Sequence, residues 1–137
     1  MTRVLKTSGF LGLTVMMVVG LYQSYLLSSG GGVPSWMIGG HAHLGVLSIL
    51  AIVVGLAIPA MGISGRLERA ISGMFVVGQW GVPLTPWLAV GAGIELFHPA
   101  VFLWGGLLVL SMLLMTWQAA IQPAPATSGP EAVPTDD

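Results

Sequence analysis

Four long apolar stretches, separated by short polar or glycine-rich breaks, account for most of this chain. From Phe10 to Leu27 only Thr14, Gln23 and Ser24 interrupt the apolar run, and Trp36 to Pro59 holds no charged residue after His43. Two further uncharged runs extend from Ala70 to Gly93 and from Pro99 to Ile121. Crossing the hydrocarbon core of a bilayer takes ~20 helical residues, so each stretch is long enough to span. The pattern predicts an all-α integral membrane four-helix bundle with spans at about 9–28, 36–61, 70–93 and 99–121. The first run exceeds a usual signal-peptide h-region and no Ala-x-Ala site follows it, so it is expected to remain as a span. Between spans, Ser28 to Ser35 carries three consecutive glycines and Pro34, and Gly62 to Glu68 is a polar loop with Arg66 and Arg69 at its edge. The acidic stretch 122–137, rich in Pro and Ala, cannot bury a core and is expected to be a disordered cytoplasmic tail.

Composition agrees with this class. Of 137 residues, 55% are apolar and 7% charged, with a mean hydropathy of +0.90, whereas soluble domains carry ~25% charged residues. The net charge of -1 includes no basic patch that would bind nucleic acid. Absence of cysteine excludes disulfides, iron–sulfur clusters and a thiol nucleophile, leaving imidazole and carboxylate as strong ligands. The eight methionines suit lipid contact or packing, with thioether ligation a minor alternative. Arg3, Lys6, Arg66 and Arg69 all fall on one side when the chain starts in the cytoplasm. Positive loops stay inside, so both termini are expected in the cytoplasm and the chain in the plasma (inner) membrane.

The candidate chemistry lies on the opposite side. His41 and His43 sit near the outer end of the second span, and Glu95 and His98 where the third meets the fourth. Ionisable groups within a span mark functional sites by default, although both histidines also suit an interfacial helix start near Gly39 and Gly40. Residues two apart lie about 200° around a helix, so His41 and His43 point to opposite faces and cannot share one metal. His41 shares a face with Gly45 and Ser48, His43 with Leu47 and Leu50. Zinc would require His41, Glu95 and His98 to converge, whereas one imidazole suffices for haem b. Glycines 39, 40 and 45 would let a flat macrocycle approach the backbone, and equally let helices pack closely. Pro83 and Pro86 should kink the third span and open a cavity with Trp80, Thr85 and Trp87 as walls. Glu95 and His98 are expected to pair and cap the fourth helix, and no nucleophile or oxyanion motif accompanies them.

Ala-His-Leu-Gly at 42–45, Pro59-Ala-Met-Gly, the loop from Arg66 to Gly73 and Trp80 together resemble styrene oxide isomerase. The resemblance covers roughly positions 36 to 90. It implies a homotrimer of four-span subunits with haem b between them, a histidine of the second span on the iron, and ferric haem as Lewis acid converting an epoxide to a carbonyl compound. Counting back from Pro59 selects His41 as the ligand, and the local Ala-His-x-Gly selects His43. The implied cofactor-binding set is His41, His43, Gly45 and Trp80, with iron on His41 or, alternatively, His43. Leu47 or Ile49 stands where the family has an asparagine, and Pro86 near its active-site tyrosine.

The expectation is therefore a haem b membrane protein of the epoxide-isomerase kind, acting on a small apolar substrate. Two alternatives are a haem-binding electron-transfer or sensing protein with two histidine ligands, and a cofactor-free structural or accessory subunit. The orientation has a direct test: cysteines placed at Gly31 and Glu95 should react with an impermeant reagent from outside, and one at Ser128 should not. Labelling at Ser128 alone would reverse the topology.

Overall fold

In the computed structural model, which describes residues 1–121, the chain is all-helical. Its elements are α1 (Thr2–Ser28), α2 (Ser35–Ala60), α3 (Gly65–Pro86), a π-helical turn (Trp87–Gly91), a 3-10 turn (Glu95–Phe97) and α4 (Ala100–Ile121). Segments Thr2–Ser28, Ser35–Ala60 and Glu95–Ile121 are long and apolar enough to cross a membrane. α3 is the exception, because Arg66, Glu68 and Arg69 lie in its first turns and Gln79 in its middle. The third span expected at 70–93 is thus a helix that begins at Gly65 and stays α-helical only to Pro86. The acidic tail lies outside the described residues.

Helix ends follow from glycine. At α1, Gly31 N–H donates to Leu26 O and Gly30 N–H to Leu27 O; at α2, Ile63 N–H donates to Ile58 O and Gly62 N–H to Pro59 O. These paired bonds are Schellman caps, which need a left-handed residue, and Gly30 and Gly62 supply it with φ of 79° and 62°. Both caps reverse the chain sharply, so α1 and α2 run antiparallel. Near the first turn of α3, the Met1 amine lies 2.7 Å from Glu68 Oε1. That hydrogen bond, ahead of other causes, holds the Glu68 carboxyl below its ordinary range.

Glycines on both helices set how closely α1 approaches α2. A methyl group placed on Gly9 would lie 2.7 Å from Ser48 O, one on Gly45 3.4 Å from Met16, and one on Gly55 2.9 Å from Lys6. Each turn along α1 is matched by a turn back along α2, and small residues line the seam as membrane helices require for backbone contact. α3 repeats the device toward α4: a methyl group on Gly78 would meet Leu108, and one on Gly81 the Trp104 indole. Near the α2–α3 loop, Leu5, Val54, Ile58, Ile63, Ile71, Phe75 and Met115 form the hydrophobic core.

Inside this packing sits one polar cluster. Gln79 is fully buried; its Oε1 accepts from Ser8 Oγ at 2.9 Å, and its Nε2 donates to Ser8 O and Ser48 Oγ, both at 3.1 Å. Trp80 Nε1 donates to Ser8 Oγ at 2.9 Å. Three helices are therefore tied by an amide whose donors and acceptor are all used, which avoids the roughly 2–7 kcal/mol cost of burying such a group unpaired. Gly12 faces the cluster, where a methyl group would collide with Ser48 Oγ and lie 2.9 Å from Gln79 Nε2.

Because overpacking costs typically ~1–3 kcal/mol, Gly12→Ala should lower stability by an amount in that range in detergent unfolding. Ser48→Ala should cost about 1 kcal/mol through the lost hydrogen bond. As removing the Ser48 hydroxyl relieves part of the collision, the double variant should be less destabilised than the sum. Strict additivity would contradict the packing described.

Candidate functional site

The prolines of α3 lie at the end of the bundle away from the α2–α3 loop, where the site is built. Pro83 and Pro86 bring no N–H to the carbonyls of Gln79 and Val82, and the helix then widens into the π-helical turn Trp87–Gly91. On this side α4 packs against α3, leaving a cleft between α2 and α4 with α3 as its floor. The cleft has a volume of about 440 Å³ and takes Trp36, Gly39 and His43 from α2, Val82, Thr85 and Pro86 from α3, Val90 from the π turn, and His98 and Val101 from the chain entering α4. Farther in, Leu47, Leu50, Phe75 and Leu108 line a second, largely apolar groove on the same side, with Thr116 as its polar residue.

His43 reaches the cleft in a defined state. Its Nδ1 lies 2.7 Å from Gly39 O, and a carbonyl only accepts, so Nδ1 carries the proton and donates. In the neutral ring this leaves the lone pair on Nε2, with the ring orientation fixed in the way metal-binding histidines are commonly held. A side chain on Gly39 would meet open space within 4 Å. His98 is exposed and shares the cleft, while Thr85 Oγ1 donates its proton to Gly81 O at 2.8 Å and retains only acceptor capacity.

His41 lies on the other face of α2, as the helical spacing requires. The face it shares with Gly45 and Ser48 is not open to a macrocycle: Met16 of α1 packs on Gly45, and Ser48 is enclosed in the Gln79 cluster. Small residues there serve helix contact. His41 itself is half-buried against Gly20 and lines a separate groove with Met16, Met17 and Gln23.

Of the expected walls, Thr85 lines the cleft and the two tryptophans do not. Trp80 is held on Ser8, and Trp87 packs its indole N–H edge against the Gly40 backbone. Glu95 is exposed and makes no ion pair with His98 among the described residues; instead His98 N–H donates to Glu95 O at 3.0 Å. No group of three His, Asp or Glu that could hold a metal occurs among the described residues, so the His41, Glu95, His98 convergence that zinc would need is not formed. Sequence reasoning missed Trp36, Val82, Val90 and Val101. The steps from Trp36 to Gly39 to His43 mark one helical face, which would have found Trp36. Val90 comes from the π turn, whose register α-helical periodicity does not predict.

A family model described as "Domain of unknown function (DUF8059)" matches residues 1–137, and the chain belongs to that family. No curated protein and no solved structure matches it.

Proposed function

We propose that this member of the DUF8059 family is a four-span membrane bundle that binds haem b in its outer cleft, with His43 as the axial ligand and an activity of the styrene oxide isomerase kind. The observation that carries the reading is the bond from His43 Nδ1 to Gly39 O, which presents an unprotonated Nε2 to a largely apolar cleft. One imidazole is enough for haem, so the lack of a three-residue metal cluster among the described residues does not count against it. The polar inventory is compatible with a group that is apolar over most of its surface: Ser35 and His98 are the polar side chains near the mouth.

When bound, ferric haem would supply a Lewis acid able to polarise the C–O bond of an epoxide. This chain's own residues do the rest. His43 orients the group with Trp36 beside it on the same face of α2, and Val82, Val90 and Val101 supply apolar lining from the other elements. Pro86 stands where the family has its tyrosine and Ile49 where, counting from His43, it has its asparagine; Ile49 is exposed and does not line the cleft. A substrate would therefore be held by apolar contact and shape, which favours a small hydrocarbon-like epoxide. The cleft is open on one flank, and a second copy would enclose it, in keeping with a homotrimer in the plasma membrane with both termini cytoplasmic. A second reading has its own observation: His98 shares the cleft with His43, so ligation by two histidines would make the protein an electron carrier or sensor.

The purified protein should be red, and His43→Ala should abolish the Soret band while His41→Ala retains it. Gly39→Leu, at a position where a Cβ would meet no atom within 4 Å and which lines the cleft, should lose most of the haem. His98→Ala separates the two readings: an unchanged ferric spectrum supports one axial histidine, and conversion from a low-spin to a high-spin spectrum supports two. Protein that stays colourless after reconstitution with haemin overturns both and leaves the cofactor-free subunit. Crosslinking in mild detergent should reach trimers; haem-loaded protein that yields only monomers contradicts the enclosed-cleft assembly.

A further inference from the structure

The groove on the other side of α2 holds a donor set that the haem reading does not use. It has a volume of about 640 Å³ and is lined by Met16, Met17, Gly20, Gln23 and Ser24 of α1 and His41 of α2, among others. It shares no lining residue with the His43 cleft.

The hydrogen-bond state of His41 is the first observation. A helical histidine can donate from Nδ1 to the carbonyl four residues back, as His43 does to Gly39 O. For His41 that carbonyl belongs to Met37, and Gln23 Nε2 reaches across from α1 to donate to it at 3.1 Å. Neither ring nitrogen of His41 has a hydrogen-bond partner among the described residues, and Nδ1 is buried. An imidazole confined in a membrane helix with both nitrogens unused is expensive unless a ligand takes one of them.

What surrounds it is the second observation. A methyl group on Gly20 would lie 3.1 Å from His41 Cε1, with Nε2 and Nδ1 at 3.8 and 3.9 Å, and one on Gly45 would lie 3.7 Å from Met16 Sδ. Gly20 is one turn beyond Met16 on α1, and Gly45 one turn beyond His41 on α2. The seam is thus a four-cornered patch in which two glycines leave room at two corners, and a thioether and an imidazole occupy the others. Met17, on the outer edge, adds a second thioether on a side chain with three rotatable bonds. No carboxylate lines the groove.

Soft thioether sulfur with imidazole selects Cu(I) over Zn(II) and over hard cations, and a monovalent ion places the least charge on a site without a carboxylate. We infer that this groove is a Cu(I) site, with His41, Met16 and Met17 as ligands, reached from the outer end past Gln23 and Ser24. Nothing is oxidised or reduced in this binding, and copper enters already as Cu(I).

Anaerobic titration of the detergent-solubilised full chain with Cu(I), against a chromophoric Cu(I) chelator, should report about one bound equivalent per chain, as a single imidazole–thioether donor set provides. His41→Ala and the double variant Met16→Leu, Met17→Leu should each weaken binding by about tenfold or more, on the scale by which disturbed metal sites lose affinity. The methionine changes conserve volume, so they keep the test valid if His41→Ala folds poorly. Met112→Leu, in the apolar groove between α2 and α4, should leave binding unchanged. Copper-edge X-ray absorption should find sulfur neighbours in the parent and none in the double variant. The assignment is overturned by no Cu(I) uptake, by unchanged affinity in the double variant, or by Zn(II) competing on equal terms. A Soret band lost in the double variant would place haem in this groove and overturn it as well.

Discussion

The fully buried amide of Gln79 is the constraint on which the arrangement of helices depends. In a medium without water an amide that misses its partners is penalised, and here its oxygen and both hydrogens are used by Ser8 and Ser48, with Trp80 completing the cluster. Apolar helices in lipid gain little from burying one apolar face rather than another, because lipid tails offer the same contacts. A directional polar cluster therefore supplies the specificity that hydrophobicity cannot. It fixes the register among α1, α2 and α3, and glycines such as Gly9 and Gly12 make the approach close enough for the hydrogen bonds to form. Cluster and glycine seam are one device, because a methyl group at Gly12 would intrude on both.

Once that register is set, the two sides of α2 acquire different characters. One side is held close to α1 at Gly9, Gly12, Gly45 and Gly55, and opens into the groove that His41 lines. The other faces α3 and the space left because α4 follows α3, and there the prolines and the π turn border the cleft at the end away from the α2–α3 loop. A proline in a span is tolerated where the exposed carbonyl lines a cavity or meets protein. Val82, whose carbonyl loses its α-helical partner at Pro86, is itself a wall of the cleft. The π turn and the cleft thus meet where Pro86 brings no N–H.

Much of this was legible in the sequence, and what was not has a physical explanation. The apolar runs located α2, α4 and the end of α1 closely, since length against bilayer thickness is a strong signal, whereas α1 begins at Thr2, before the apolar run that marked it. The start of α3 was placed too late because its charged first turns read as loop, although a helix entering a membrane can carry arginines at the interface. The opposite orientation of His41 and His43 followed from spacing alone. Which partner each face would meet did not, because lipid-facing and helix-facing positions are both apolar and periodicity is silent between them. Gly45, which suited a macrocycle and a close helix contact equally, lies against Met16, and Ser48 beside it accepts from Gln79. His98 joins His43 only through the path of the chain from the π turn to α4, which residue spacing does not encode.

The two histidines of α2 illustrate how little sequence separation is needed for two chemistries. They have the same residue type, the same helix and nearly the same depth, and each has a backbone carbonyl four residues back. Gly39 O is free to accept, so His43 is locked with its lone pair on Nε2 and a single direction in which to use it. Met37 O is already occupied by Gln23, so His41 keeps both nitrogens uncommitted beside two thioethers. One amide on a neighbouring helix thereby separates a fixed, directional imidazole facing an apolar cleft from an adaptable one facing soft sulfur. A chain with three histidines and no cysteine can in this way present two distinct ligand fields on opposite sides of one helix, and the difference arises in the hydrogen bonds behind the rings rather than in the rings themselves.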